Sequence, residues 1–239
     1  MVAHDASLVI LSITIAILGA FTASVMTSNA GTLPPSQRRL RLMMAAVTLG
    51  GSIWAMQFVG LLSIETPVNF AYNPELTALS AVIAFAGTGI ALYLLWPKSG
   101  TRTRLPAAAA ALGVTIAANN YSGIAAIAGR GLQLNWFLTV IGVAVAIQAA
   151  QMVLSFLASQ RGVILTLIGA IWLGLSLTAT HYLAVASTLG LEQTLLLIPQ
   201  DPDRISERYL AWAATIIMYL ICSICLIIFV IMQFREELE

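Results

Sequence analysis

Three polar side chains, Gln57, Asn120 and His181, recur at nearly constant spacing in an otherwise apolar sequence. Asn120 follows Gln57 by 63 residues, and His181 follows Asn120 by 61 residues. Carboxamides donate and accept hydrogen bonds, and an imidazole does the same or binds a metal ion. Because hydrocarbon penalises such groups when they lack partners, the regular spacing predicts one shared internal site.

Other candidate ligands flank these three positions. Asn119 and Tyr121 adjoin Asn120, and Tyr182 follows His181. Met56 precedes Gln57 and carries a thioether. The predicted ligand-binding residues are therefore Gln57, Asn119, Asn120, Tyr121, His181 and Tyr182.

The elements that must position these residues are membrane-spanning helices. The chain is 59% hydrophobic and 9% charged, which is typical of an all-α protein embedded in the lipid bilayer. A helix needs about 20 residues to cross the hydrocarbon. Runs of that length lie near residues 6–28, 40–63, 75–96, 106–128, 136–158, 163–188 and 209–234. Every proline stands between or at the ends of these runs, which predicts seven unbroken helices.

Basic residues predict how the helices are oriented. Eight of the 11 lysines and arginines fall on one side of the predicted membrane, and Arg130, Arg204 and Arg208 fall on the other. The positive-inside rule then places the C-terminus in the cytoplasm and the N-terminus outside. In this orientation Gln57, Asn120 and His181 lie about 9–12 Å below the outer ends of their helices, at 1.5 Å per residue.

The odd-numbered helices repeat as well. Asp5, Asn73 and Asn135 occupy equivalent places just before the first, third and fifth helices, where a short polar side chain caps free backbone N–H groups. Each repeat consists of a helix that runs toward the cytoplasm and a helix that runs back toward the outside. The second helix carries the polar position. The sequence therefore predicts three parallel two-helix repeats, at about 4–63, 72–128 and 134–188, and a seventh helix without such a position.

Several functional classes are disfavoured by composition. Acidic residues are confined to predicted loops and the tail, so no spanning helix offers a carboxylate for acid–base catalysis or proton coupling. No nucleophile–base pair or phosphate loop is recognisable, and we expect no enzyme activity. The net charge of +1 argues neither for nor against nucleic acid, but the sequence has no basic cluster of the kind that binds phosphates, so we expect no nucleic-acid partner.

Two further polar residues, Gln148 and Gln151, lie one turn apart on one face of the fifth helix. Their simplest interpretation is hydrogen bonding between helices of the same chain. A second polar pocket or a contact with a partner is the alternative. Cys222 and Cys225, the only cysteines, are interpreted as packing residues of the last helix.

With these repeats the chain resembles the MHYT family of bacterial membrane proteins. The similarity covers nearly the whole chain, and its best local matches are residues 54–60, 68–74 and 180–182. The resemblance implies a Met-His-Tyr-Thr motif near the outer ends of the second, fourth and sixth helices. It also implies a sensor whose motif Met and His residues hold copper and a diatomic gas, in many members ahead of a cytoplasmic signalling domain.

This chain departs from the family motif at its metal-binding positions. Gln57 stands in place of the first His, and Asn119 and Asn120 replace the second Met and His. The third motif keeps His181 but lacks the Met. Because copper binds imidazole and thioether well and carboxamides poorly, the substitutions predict a hydrogen-bonded network in place of a metal site. Copper bound by Met56 and His181 remains the alternative.

The leading functional hypothesis is a stand-alone sensory or regulatory module of the bacterial inner (plasma) membrane. The chain ends five residues after the last predicted span, so we expect no output domain. We therefore expect the signal to pass to a membrane or cytoplasmic protein partner, or within a homo-oligomer. The alternative is an accessory or assembly subunit of a larger membrane complex, respiratory or redox in kind, that has lost copper binding.

Overall fold

The structure, a computed structural model, describes residues 5–64, 71–96, 101–128, 133–158, 162–189 and 205–238. His4 and residues 65–70, which include the start of the family-like 68–74 loop, lie outside these ranges. The side chains of the described residues define the packing and hydrogen bonds below.

Seven of the described helices are long and apolar enough to cross a membrane, which confirms the predicted all-α membrane fold. Because the helices carry few charged residues, lipid is their natural surrounding. Their bounds are α1 (Ala6–Thr27), α2 (Pro35–Leu62), α3 (Pro74–Leu95), α4 (Thr101–Ala128), α5 (Trp136–Ala158), α6 (Val163–Ser187) and α7 (Glu207–Leu238).

Three antiparallel helix pairs form a closed ring. Helices α1 and α2, α3 and α4, and α5 and α6 pack against each other, α2 contacts α3, α4 contacts α5, and α6 returns to α1. The even-numbered helices also contact one another inside the ring. The remaining helix, α7, packs on α1 and α2, so α2 is covered on more sides than its counterparts.

Equivalent caps begin the three repeats, as the sequence predicts. The carboxylate of Asp5 accepts a hydrogen bond from the N–H of Ser7, and the amide oxygens of Asn73 and Asn135 accept from N–H groups of α3 and α5. The backbone N–H of each capping residue donates to the end of its own even-numbered helix, at 2.8–2.9 Å. The same two interactions, a side-chain cap and a main-chain hydrogen bond, therefore occur in each repeat.

We call the end of the bundle at which α2, α4 and α6 finish the motif end, and the opposite end, where Arg38, Arg39 and Arg41 lie, the basic end. Two short antiparallel strand pairs cover the motif end. Strand β1 (Ala71–Tyr72) pairs with β4 (Ile205–Ser206), and β2 (Gln133–Leu134) pairs with β3 (Thr188–Leu189). The predicted assignment of the motif end to the outside stays a prediction.

Two helices, α2 and α4, begin more than one helical turn earlier than predicted. Helix α2 starts at Pro35 instead of residue 40, and α4 starts at Thr101, so Pro106 lies inside a helix and not at its end. Proline is well suited to the first turn, because the first N–H groups of a helix have no intrahelical partner. At the sixth position of α4, Pro106 removes one backbone hydrogen bond at an exposed site, which the helix tolerates.

Small residues let the paired helices approach closely. A methyl group added to Gly19 of α1 would overlap Ser52 of α2 and lie 2.8 Å from the main-chain oxygen of Thr48. The second repeat has the same contact, between Gly87 of α3 and Thr115 of α4. Close packing of this kind stabilises membrane helices, because lipid gives no hydrophobic drive for their association.

We predict that Gly19→Ala lowers stability by about 1–3 kcal/mol, because the added methyl overpacks the contact between α1 and α2. Gly89→Ala is the matched control, since its methyl would meet nothing nearer than the Cβ of Ala46, at 3.9 Å. Alanine is favoured over glycine in a helix, so the control should be unchanged or slightly more stable. Thermal unfolding in detergent measures both variants, and equal stability would contradict the prediction.

Candidate functional site

An amide network joins α2 to α4 near the motif end. Gln57, Asn119 and Asn120 are each at most 1% exposed. Asn119 Nδ2 donates to Gln57 Oε1 and lies 3.5 Å from the main-chain oxygen of Ile53. Gln57 Nε2 donates to the main-chain oxygen of Asn120 at 3.4 Å. The structure thus brings the polar positions of the first and second motifs into direct contact.

The orientation of each amide in this network follows from its neighbour. The main-chain oxygen of Asn120 can only accept, so Gln57 turns Nε2 toward it and Oε1 toward Asn119. Asn119 must then present Nδ2 to Gln57, which directs its own Oδ1 elsewhere. Within the described residues, neither Asn119 Oδ1 nor Asn120 Oδ1 accepts a hydrogen bond. Two buried acceptors are therefore able to receive a donor.

Glycines on neighbouring helices receive two of the motif side chains. A methyl group added to Gly60 of α2 would lie 2.7 Å from Nε2 of His181, so the imidazole of α6 packs directly on this glycine. A methyl group added to Gly123 of α4 would overlap the amide nitrogen of Gln57. Gly60 follows Gln57 by three residues, and Gly123 follows Asn120 by three. The motif side chain of α6 therefore packs on a glycine of α2 in the same way as the motif side chain of α2 packs on a glycine of α4.

This relation places His181 beside the amide network and nearer to the motif end. Gly60 lies about one helical turn beyond Gln57, on the same face of α2. The imidazole of His181 is 1% exposed, and its ring packs edge-on to that of Tyr182, with the ring centres 5.2 Å apart. One motif position from each even-numbered helix therefore lies in the same buried region.

The two candidate tyrosines bridge the same helices. The hydroxyl oxygens of Tyr121 in α4 and Ser187 in α6 lie 2.9 Å apart. Those of Tyr182 in α6 and Ser63 at the end of α2 lie 3.3 Å apart. Both tyrosines hold one even-numbered helix against the next. Their predicted role in ligand binding stays a prediction.

The first motif replaces this hydroxyl pair with an apolar one. Phe58 stands at the position of the two tyrosines, and Ala126 stands at the position of Ser63 and Ser187. Phe58 and Ala126 both belong to the apolar cluster at the motif end. A hydroxyl buried without a partner would be costly, so loss of the tyrosine hydroxyl is matched by loss of its serine.

The motif offers few of the side chains that copper prefers. Met56 is buried in the main hydrophobic core, and His181 provides the single imidazole among the three motif positions. The carboxamides at the other two positions are poor copper ligands. In the part of the chain that the structure describes, no group of three or more His, Cys, Asp or Glu side chains is placed to hold a metal ion.

Sequence reasoning missed four residues that shape this region: Gly60, Gly123, Ser63 and Ser187. The signal was a constant offset within the repeats. The glycines stand three residues after the first two motif positions, and the serines stand six residues after Gln57 and His181. Such offsets become interpretable once the neighbouring helix is known.

We predict that Gln57→Leu lowers stability by about 1–3 kcal/mol, because it leaves the buried amide of Asn119 without its acceptor. The double variant Gln57→Leu/Asn119→Leu should cost less than the sum of the two single variants, since both partners are removed together. Unfolding in detergent of all four proteins gives the coupling energy. Strictly additive losses would contradict the pairing.

Comparison with known proteins supports the resemblance to the MHYT family. A family model described as MHYT, bacterial signalling protein N terminal repeat, matches residues 50–110. The chain is 30% identical over 191 residues to the bifunctional diguanylate cyclase/cyclic di-GMP phosphodiesterase MucR of Pseudomonas aeruginosa, with 77% of this chain and 28% of MucR covered. It is 32% identical over 192 residues to the cyclic di-GMP phosphodiesterase NbdA of the same organism, with 77% and 24% covered.

A weaker similarity, 25% identity over 151 residues, links the chain to the signaling protein YkoW of Bacillus subtilis, with 62% of this chain and 19% of YkoW covered. No solved structure matches the chain. The chain spans about a quarter of the length of MucR and NbdA. From the repeated motif, the seven spanning helices and these relatives, we conclude that the chain belongs to the MHYT family of membrane signalling domains.

Proposed function

We propose that this chain is a sensory module that binds a small hydrogen-bond donor at the amide network and regulates cyclic di-GMP signalling through a protein partner. The observation that carries the proposal is the pair of buried acceptors, Asn119 Oδ1 and Asn120 Oδ1, which take no hydrogen bond from the described residues. A buried acceptor without a donor costs about 1–3 kcal/mol. A ligand with an N–H or O–H group regains that energy.

Helix α2 connects the site to the opposite end of the bundle. It carries Gln57 at the site, and a methyl group added to its Gly51 would lie 2.5 Å from the sulfur of Met218 in α7. At the basic end, the guanidinium of buried Arg41 stacks over the ring of Phe229 in α7, 5.0 Å from its centre. A ligand that shifts Gln57 would therefore change the packing of α2 on α7.

The activities named for the relatives suggest the output. MucR is a diguanylate cyclase and cyclic di-GMP phosphodiesterase, and NbdA is a cyclic di-GMP phosphodiesterase. In our proposal a cyclic di-GMP enzyme responds to α7 at the basic end, which the positive-inside rule assigns to the cytoplasmic face of the bacterial inner membrane. The alternative role, an accessory subunit of a membrane complex, stays a prediction, and co-purification of a stoichiometric membrane partner would favour it.

We expect deletion of the chain to change the cellular concentration of cyclic di-GMP, and Asn120→Ala/His181→Ala to reproduce the deletion. The double variant removes one buried acceptor and the imidazole that packs on Gly60. Extraction and mass spectrometry of cyclic di-GMP measure the effect, with membrane levels of each variant equalised by immunoblot.

Ser122→Ala is the matched control for this experiment. The Ser122 hydroxyl lies in the same motif but donates to the main-chain oxygen of Asn119 in its own helix. This variant should therefore keep the wild-type concentration of cyclic di-GMP. A double variant that behaves like the wild type would contradict the role of the site, and a deletion without effect would contradict the proposed output.

We further predict weak copper binding at the motif, because carboxamides occupy two of its three ligand positions. In a Cys222→Ala/Cys225→Ala background, protein exposed to Cu(I) and then desalted should hold much less than one copper per chain by elemental analysis. Adding Gln57→His and Asn120→His should raise the copper content, since two imidazoles join His181. Stoichiometric copper in the background protein would favour copper sensing instead.

A further inference from the structure

Helix α5 exposes a regular stripe of side chains on the outer surface of the bundle. The stripe positions alternate in steps of three and four residues, which is the spacing of a helix–helix seam. They are exposed along the whole stripe. We call them the α5 stripe: Ile141, Ala144, Gln148, Gln151, Ser155 and Ala158.

Two carboxamides occupy the centre of this stripe. At 1.5 Å per residue, Gln148 and Gln151 lie about 18 and 22 Å along a helix of about 34 Å, near the middle of the bilayer. The expected hydrogen bonds from these glutamines to another helix of the same chain are not found among the described residues. Hydrocarbon cannot satisfy them either, so the two exposed amides require a partner from outside this chain.

The repeat fold itself does not require polarity at these positions. Counted from the capping residues, Gln148 corresponds to Ala86 in the second repeat and to Leu18 in the first. Gln151 likewise corresponds to Gly89 and Phe21. Both sets of counterparts are apolar, and exposed Ala86 suits lipid. The two glutamines are therefore a feature of the third repeat alone.

We infer that the α5 stripe binds the α5 stripe of a second copy of this chain, related by a two-fold axis along the bilayer normal. Two copies inserted in the same orientation bring equal positions to equal depth. Gln148 then faces Gln148 of the second copy, and Gln151 faces its own counterpart. Because a carboxamide both donates and accepts, each identical pair forms a hydrogen bond without any other group.

The composition of the stripe favours a second copy over an unrelated helix. Its small residues Ala144, Ser155 and Ala158 permit close approach, as seams between membrane helices require. The stripe contains no charged residue that would select a charged partner. The hydroxyl of Ser155 donates to the main-chain oxygen of Gln151, at 2.6 Å, so it does not compete for the amides. A different helix would need polar groups at both depths, whereas a second copy supplies them by symmetry.

Cysteine cross-linking in native membranes tests this interface. In the Cys222→Ala/Cys225→Ala background, Gln148→Cys should form a cross-linked dimer when the membranes are treated with iodine, a bilayer-permeant oxidant. Ala86→Cys is the matched control, because it occupies the equivalent exposed position on α3, and it should stay monomeric. Cross-linking of Gln148→Cys no stronger than that of Ala86→Cys, or cross-linking to a different protein, would overturn the inference.

A second measurement keeps the test independent of cysteine chemistry. Gln148→Leu/Gln151→Leu removes the amides and keeps an apolar stripe, so the protein should fold while its dimerisation in liposomes weakens roughly 10-fold or more. Energy transfer between labelled copies, followed against the protein-to-lipid ratio, gives the dimer fraction. Ala86→Leu should leave it unchanged. An unaltered dimer fraction in the glutamine double variant would also overturn the inference.

Discussion

Hydrocarbon offers no hydrogen-bond partner, so every polar side chain that α2, α4 and α6 carry inward must be satisfied by protein or ligand. Asn119 Nδ2 and Gln57 Oε1 meet this constraint by pairing with each other across two helices, whereas Asn119 Oδ1 receives no donor from the described residues. The main-chain oxygen of Asn120 then fixes how both amides are turned. The relative position of α2 and α4 at the motif end therefore depends on a few neutral hydrogen bonds.

The same constraint explains how the three motifs differ without breaking the fold. His181 of α6 packs on a glycine of α2, and Gln57 of α2 packs on a glycine of α4. Hydroxyl pairs join Tyr121 to Ser187 and Tyr182 to Ser63. Substitutions that change metal-binding chemistry can thus preserve the packing, because an amide fills a similar volume and finds its own hydrogen bonds. Within this chain the contact with a glycine is the same at both positions, while the donor group differs.

Much of the fold could be predicted because it follows from local chemistry. Apolar runs longer than the bilayer core predict the helices, and short polar caps predict where α1, α3 and α5 begin. The starts of α2 and α4 could not be predicted this way. Pro35 stands in the first turn of α2, where proline fits, and α4 tolerates Pro106 at an exposed site, so both helices extend beyond the apolar runs.

By itself, the sequence determined the number of helices, the three repeats and the residue types available to the site, because these depend on hydropathy and spacing along one chain. Tertiary structure alone decided which groups meet. Gly60 and Gly123 acquire their roles from the helix that packs on them, and Gln148 and Gln151 could have faced inward as well as outward. The rotation of each helix about its axis and the identity of its neighbours decide which side chains face inward. Both depend on packing between segments that lie far apart in the chain.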